Sequence, residues 1–181
     1  MKKYISILRG INVGGKRKIL MADLRGLYEK LVFQNIITYI QSGNVIFDSV
    51  LERPASEIEG EITQAIAQTF GFDVPVIVRG VEELELAITS NPYFVEDADI
   101  EKLFLTFLRE EPSRDLIDGI SNIDFSPDKF EIIGRCIFGF HSGKYHESKL
   151  TNNFFESKLK VSATTRNWKT VLKLLDLTRP E

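Results

Sequence analysis

The sequence predicts an α+β protein built from two successive βαββαβ halves and a closing C-terminal helix. Three observations predict it. Short apolar runs and apolar residues at helical spacing follow one another in the same order twice along the chain. Turn signals, Ser42-Gly43-Asn44 in one half and Gly134-Arg135 in the other, separate the middle runs of each half. The chain has 181 residues, room for two compact units of about 90 residues each.

Tyr4–Leu8 is a short apolar strand that runs into a loop over residues 9–20. Met21, Leu24, Leu27, Tyr28 and Leu31 recur at helical spacing. Ile36–Ile40 and Val45–Phe47 are strands joined by a tight connection at Ser42-Gly43-Asn44. After Pro54, the positions Ile58, Ile62, Ala65 and Ile66 mark a second helix, and Val74–Val78 is the next strand. A short acidic helix over Glu82–Thr89 leads through Asn91-Pro92 to the strand Leu103–Leu108. A helix near Arg114–Ile120 follows, then strands Phe130–Ile133 and Ile137–Phe140, a helix Leu150–Leu159 and a short strand Val161–Ala163. Trp168, Val171, Leu172 and Leu175 form the stripe of the last helix. This order describes tandem ferredoxin-like units: residues 1–80 as a first subdomain, 81–101 as connecting helix and loop, and 102–181 as a second subdomain with the C-terminal helix. Leu103-Phe104-Leu105 and Ile137-Phe138 are apolar at consecutive positions, so each sheet is expected to be covered on both sides.

Composition narrows the function classes. Hydrophobic residues make up 43% and charged residues 27%, a globular balance. No apolar run approaches the ~20 residues that cross a bilayer, and Arg9 interrupts the N-terminal apolar stretch, so neither a membrane span nor a secretory signal is read. The single cysteine, Cys136, cannot form an internal disulfide, and a cytoplasmic location is expected. Charge is unevenly spread: residues 1–18 hold six Lys/Arg and no acid, whereas residues 19–128 hold 21 acids against seven bases. Residues 129–173 are basic again, with nine Lys/Arg against three acids.

The densest motif lies in the first basic stretch. Residues 9–18 read Arg-Gly-Ile-Asn-Val-Gly-Gly-Lys-Arg-Lys directly after a strand. Glycines there permit positive φ and a close approach of backbone amides to a ligand, and the cations suit a phosphate or carboxylate. Gly10-x4-Gly15-Lys16 matches the front of a Walker A loop, but Arg17 replaces the Ser/Thr that binds magnesium and the helix pattern starts too late. An anion-binding loop and a plain glycine turn with solvated cations remain the alternatives. In a βαββαβ unit the loop after the first strand and the hairpin between the second and third share one sheet edge. Gln41 and Ser42 are therefore expected to flank the glycine loop, with Asn44 beside Arg9.

The second basic region holds two further groups. Ser148-Lys149-Leu150 starts one helix, and Thr164-Thr165-Arg166-Asn167-Trp168 opens the last one, with Thr165 as its expected N-cap. Lys149 and Arg166 are expected to be neighbours on one sheet edge. If the halves pack with that edge facing the glycine loop, Arg9, Lys16, Lys149 and Arg166 line one cleft; otherwise the two groups are unrelated helix starts on separate surfaces. His141 and His146 lack a convincingly spaced third ligand, so no metal and no cofactor is expected.

RGINVGGKRK, Met21-Ala22-Asp23-Leu24, Thr38-Tyr39-Ile40-Gln41-Ser42-Gly43-Asn44, Ser148-Lys149-Leu150 and Thr165-Arg166-Asn167-Trp168 together resemble the bacterial domain-of-unknown-function family 1697 over nearly the whole chain. The resemblance implies a cytosolic protein of repeated ferredoxin-like units. It implies no activity and supplies no catalytic residue.

Three functions compete. The first is a protein that binds or acts on a phosphate-bearing ligand, a nucleotide or an RNA end. Arg9, Gly10, Gly14, Gly15 and Lys16 would hold the anion, with Asn12, Gln41, Ser42 and Asn44 orienting it and Lys149, Arg166 and Asn167 adding to the site. No acid or histidine is embedded in these motifs to serve as a general base. The second is an RNA-binding sheet, since Leu103–Leu108 and Gly134–Phe140 loosely resemble the strand motifs of an RNA-recognition domain. The third is a non-catalytic interaction or scaffold protein whose polar motifs are structural.

Overall fold

The computed structural model describes residues 1–144 and 147–179. The first half runs β1 (Lys2–Leu8), α1 (Met21–Lys30), β2 (Gln34–Tyr39), β3 (Asn44–Ser49), α2 (Ala55–Phe70) and β4 (Val76–Gly80). After α3 (Val81–Thr89) and a 3-10 turn at Ile100–Lys102, the second half runs β5 (Leu103–Leu108), α4 (Arg114–Ser121), β6 (Lys129–Ile133), β7 (Cys136–Phe140), α5 (Asn152–Leu159) and β8 (Ala163–Asn167). The closing helix is α6 (Trp168–Asp176). The chain is thus α+β, with two four-stranded antiparallel sheets of order β2-β3-β1-β4 and β6-β7-β5-β8. Among the described residues no helix is long and apolar enough to cross a membrane.

Contacts divide the chain into Met1–Glu85, joined by the residues from Leu174 onward, and Leu86–Lys173. In the first unit, Leu24, Leu27 and Tyr28 of α1 and Ile58, Ile62 and Ile66 of α2 bury one face each. They pack with Tyr4, Leu8, Val45, Phe47, Val76 and Val78 from alternate strand positions. Each such side chain contributes about 1.5–3 kcal/mol by leaving water. The intervening positions Ile5, Ile7, Ile46 and Ile77 are buried as well. In the second unit, Ile120, Leu150, Phe155 and Leu159 pack with Leu108, Ile137 and Ala163. Leu103, Leu105, Phe107 and Phe138 are also buried, so both faces of each sheet are shielded, as the doubly apolar strand pattern anticipates.

Corresponding backbone hydrogen bonds occur at the strand ends of the two units. Leu8 N–H donates to the Gly43 carbonyl, just before β3, and Leu108 N–H donates to the Arg135 carbonyl, just before β7. Arg9 N–H donates to Pro75, just before β4, and Arg109 N–H donates to Ser162, just before β8. Arg79 lies opposite Ile5 and Arg166 opposite Leu105, each buried, each with Nη1 donating to the carbonyl of the residue before it.

One sequence expectation is corrected here. The segment around Thr165 is strand and not the start of the last helix: β8 extends to Asn167. Thr165 Oγ1 is engaged with Thr106 Oγ1 and Asn152 Oδ1, while Asn167 Oδ1 accepts from Thr170 N–H and does the capping. The hydrogen-bonding demand of the neighbouring strand β5 outweighs the local capping preference. Of the aromatics in the two strands that loosely resemble an RNA-recognition domain, Phe107 and Phe138 are each 1% exposed, whereas Phe104 and Phe140 are half-buried.

Candidate functional site

The glycine-rich segment is a small β-hairpin held between two core anchors. Ile11 and Ile19, 1% and 2% exposed, both belong to the first unit's core. Between them Val13 and Lys16 form a bridge, with Lys16 N–H donating to Val13 O at 3.0 Å and Asn12 N–H to Arg17 O at 3.1 Å. Gly14 and Gly15 occupy the tip with φ of 58° and 74°. Two successive positive φ values define a primed two-residue turn, which glycine adopts without strain. An ideal Cβ at either tip glycine would meet nothing within 4 Å, so these glycines serve the turn and not packing.

Asn12 fastens the base of this hairpin. Its Oδ1 accepts from Ile19 N–H at 3.0 Å, and its Nδ2 donates to the carbonyls of Ile19 and Gln41, both at 2.9 Å. The last bond ties the hairpin to the turn between β2 and β3, so the two polar motifs do share one end of the sheet. Within that turn Gly43 has φ of 82°, and an added Cβ would lie 2.7 Å from Ile11 Cδ1 and 2.8 Å from Leu8 Cβ. Asn44 is fully buried; its Nδ2 donates to Tyr39 O at 3.0 Å and Ser42 Oγ at 3.2 Å. Asn44 pairs with Ile7 and not with Arg9, which lies two residues beyond that register. Gln41 is exposed and Ser42 half-buried.

The hairpin's charge faces water. Lys16, Arg17 and Lys18 are exposed, and none makes a side-chain hydrogen bond or ion pair among the described residues. A Cβ on Gly10 would stand 3.4 Å from Arg17 Nη1, so the guanidinium folds back over Gly10, beside half-buried Arg9. Gly10 itself has φ of 70°. Helix α1 starts at Met21, five residues after Lys16, so the Walker-type arrangement of a lysine opening a helix is absent. Sequence spacing singles out Lys16; the orientation of Arg17 over Gly10 depends on the hairpin's register and has no sequence signature of its own.

The second unit's basic residues are arranged differently. Lys149 is exposed and lines a cleft of about 260 Å³ with Asp124, Asp128, Ser142, Lys144 and Ser148. Arg166 is buried within β8, 9% exposed, and Asn167 is exposed at its end. Lys149 thus precedes α5 on a surface loop, whereas Arg166 sits inside the sheet. Asp128 organises the cleft: it accepts from Ser142 N–H and Oγ, each at 2.9 Å, and from Ser148 Oγ at 2.7 Å. His141 is 2% exposed, with Nδ1 3.7 Å from Asp128 Oδ2. Burial pushes the His141 imidazole below its ordinary value, against the pull of Asp128. His146 lies outside the described residues. Among the described residues no group of three metal-ligating side chains forms.

Asp128 supplies a pH-dependent prediction. Partial burial raises its pKa, but the bonds from Ser148 and Ser142 and the nearby His141 outweigh it, and the net direction is down. A depressed folded-state value means stability that is present above the ordinary carboxylate range and lost as pH falls through the lower folded value. Asp128→Asn is therefore expected to destabilise the protein at pH 7 and to match wild type near the acid end of the titration. Urea denaturation across pH checks this; an equal penalty at both ends would contradict it.

Among solved structures the chain is similar to the conserved bacterial protein SP0830 from Streptococcus pneumoniae, with a TM-score of 0.76 at 24% identity, covering 98% of this chain and 99% of that one. At that identity the likeness concerns fold alone. No curated protein matches the chain. The model of a family described as "Protein of unknown function (DUF1697)" matches residues 1–138, and on that span, which contains both the hairpin and the Gly43 turn, the chain belongs to the DUF1697 family.

Proposed function

We propose that this protein is a tandem of two ferredoxin-like units that binds a phosphate-bearing ligand through the basic hairpin of its first unit. The observation that carries the reading is the set of three exposed cations, Lys16, Arg17 and Lys18, without acid partners on a hairpin fastened at its base by Asn12. Fastening lowers the entropy lost when a ligand binds. Arg9, Gly10, Gly14 and Gly15 complete the surface that would face the anion, with open tip amides available as donors. Gln41, exposed beside the hairpin base, would add a polar contact to that surface, with half-buried Ser42 next to it. The ferredoxin-like reading rests on the strand orders β2-β3-β1-β4 and β6-β7-β5-β8 and on the matched bonds at Leu8 and Leu108. A single cysteine suits the cytoplasm.

A second reading, a non-catalytic interaction protein with structural polar motifs, is favoured by Asn12, Ser42 and Asn44, which spend side-chain bonds on holding the fold. The two readings part at the cations, which hold nothing. Titration calorimetry with nucleoside phosphates at low salt separates them. Binding is expected for wild type, weakening as salt rises because the charges are exposed. The double variant Lys16→Ala/Arg17→Ala is expected to lose at least about tenfold in affinity, the equivalent of about 1.4 kcal/mol. A folded double variant that binds every phosphate compound as wild type does leaves the interaction reading standing.

A further inference from the structure

We infer that the phosphate-bearing partner is a B-form nucleic-acid duplex, gripped along its backbone by the hairpin over residues 12–17 and the cations around it. The inference rests on the anion-binding reading of that same hairpin and goes beyond it in naming the partner.

Shape is the first reason. Residues 12–17 form a two-stranded ribbon closed by the two-residue Gly14-Gly15 tip. Strands in a ribbon lie about 4.8 Å apart. A B-form major groove about 12 Å wide admits such a ribbon, while the deep, narrow major groove of A-form RNA does not. The tip has no side chain to obstruct entry, and an ideal Cβ there would meet nothing of the protein within 4 Å.

Charge is the second. Lys16, Arg17 and Lys18 follow one another in the strand leaving the tip and the residue beyond it, exposed and without acid partners among the described residues. A cluster of cations with no internal compensation is suited to a repeating anion more than to one phosphate, since each can take its own phosphate along a backbone. Asp23 in the first turn of α1 is the nearest acid in sequence, and no ion pair joins it to these cations.

The composition of the segment argues against two other polyanions. Residues 9–20 contain no aromatic side chain, and single strands are held largely by stacking on aromatics. Val13 is 66% exposed and Leu20 68% exposed, but the most projecting positions are glycines, which offer no apolar area to insert into a lipid surface. With cations and bare amides as its equipment, the hairpin contacts phosphates and reads little or no sequence.

Fluorescence anisotropy with a labelled 20-base-pair DNA duplex of mixed sequence tests this, beside the matching single strand, a duplex RNA, inorganic phosphate and vesicles of phosphatidylglycerol. The duplex DNA is expected to bind at least about tenfold tighter than the single strand or the duplex RNA. Three phosphate contacts give a slope of log K against log salt near about −2.7, or about a 40-fold loss between 50 and 200 mM salt. Lys16→Ala, Arg17→Ala and Lys18→Ala, each checked for unchanged circular dichroism, should each lower the slope magnitude by about 1. If single strand, duplex RNA or vesicles bind as well as duplex DNA, or the slope survives all three variants, the duplex inference is overturned. Inorganic phosphate binding that depends on Lys16 and Arg17 would then leave the anion-binding reading intact. If phosphate, vesicles and every nucleic acid fail to bind, both fall.

Discussion

Gly43→Ala is expected to destabilise the protein by about 3 kcal/mol, the sum of left-handed backbone strain and overpacking. Gly43 combines φ of 82° with the tightest surroundings of any glycine in the chain: its missing Cβ would lie 2.7 Å from Ile11 Cδ1 and 2.8 Å from Leu8 Cβ. Ile11 and Leu8 are both buried in the first unit's core and cannot step aside without opening it. Ile11 also anchors one end of the hairpin, so a shift there would loosen Asn12 as well. Gly14→Ala is the control. It meets the same backbone preference, with φ of 58°, but nothing crowds it within 4 Å, and its cost is expected at about 1 kcal/mol. Urea denaturation of both variants at constant m decides the matter. Equal penalties would mean that close approach at Gly43 contributes nothing.

Glu59→Ala is expected to cost about 3–5 kcal/mol, the range for breaking a buried charged pair. Glu59 is 2% exposed on α2, its Oε1 accepts from Val78 N–H at 2.9 Å, and Arg79 Nη1 stands 3.9 Å away. Truncation takes a buried carboxylate from a guanidinium that is itself 3% exposed and removes the acceptor of a strand N–H. Glu83, the other carboxylate near Arg79, has a side chain 39% exposed, and its second oxygen accepts from Gly80 N–H at 3.0 Å. Water screens that pair, so Glu83→Ala is expected to cost about 1 kcal/mol, mostly through the lost cap. Chemical denaturation that finds Glu59→Ala no worse than Glu83→Ala would contradict the assignment of Glu59 as the buried partner.

The order of elements is legible in the sequence because burial imposes periodicity. Ile58, Ile62 and Ile66 recur every four residues and become the buried face of α2, and the paired apolar positions of β5 and β7 become sheets shielded on both faces. What stays hidden depends on register and on distant partners. Val-Gly-Gly-Lys is a hairpin signal in principle, but only the bonds between Asn12 and Arg17 and between Val13 and Lys16 turn that loop into a ribbon. The pairing of Asn44 with Ile7 follows from where the 40–43 turn closes, which local composition does not encode. Arg79 carries no sequence mark of burial, and its resemblance to Arg166 emerges only once both strands are aligned on β1 and β5. Arg166 and Thr165 show the same limit from the other side, because their helix-start pattern yields to strand pairing with Phe104–Thr106. The candidate site was legible as a set of residue types at one sheet edge. Its division of labour was not: asparagines and the close-packed glycine hold the fold, and the cations face outward.

The most direct measurement of the basic hairpin's role is a titration of the isotope-labelled protein with inorganic phosphate, followed by amide chemical shifts. Phosphate is expected to move the resonances of Gly10, Gly14, Gly15, Lys16, Arg17 and Lys18, progressively and reversibly with salt, while Ser142, Gly143 and Ser148 around Asp128 stay in place. Shifts concentrated at the Asp128 cleft, or no shift at the hairpin at any phosphate concentration, would contradict it.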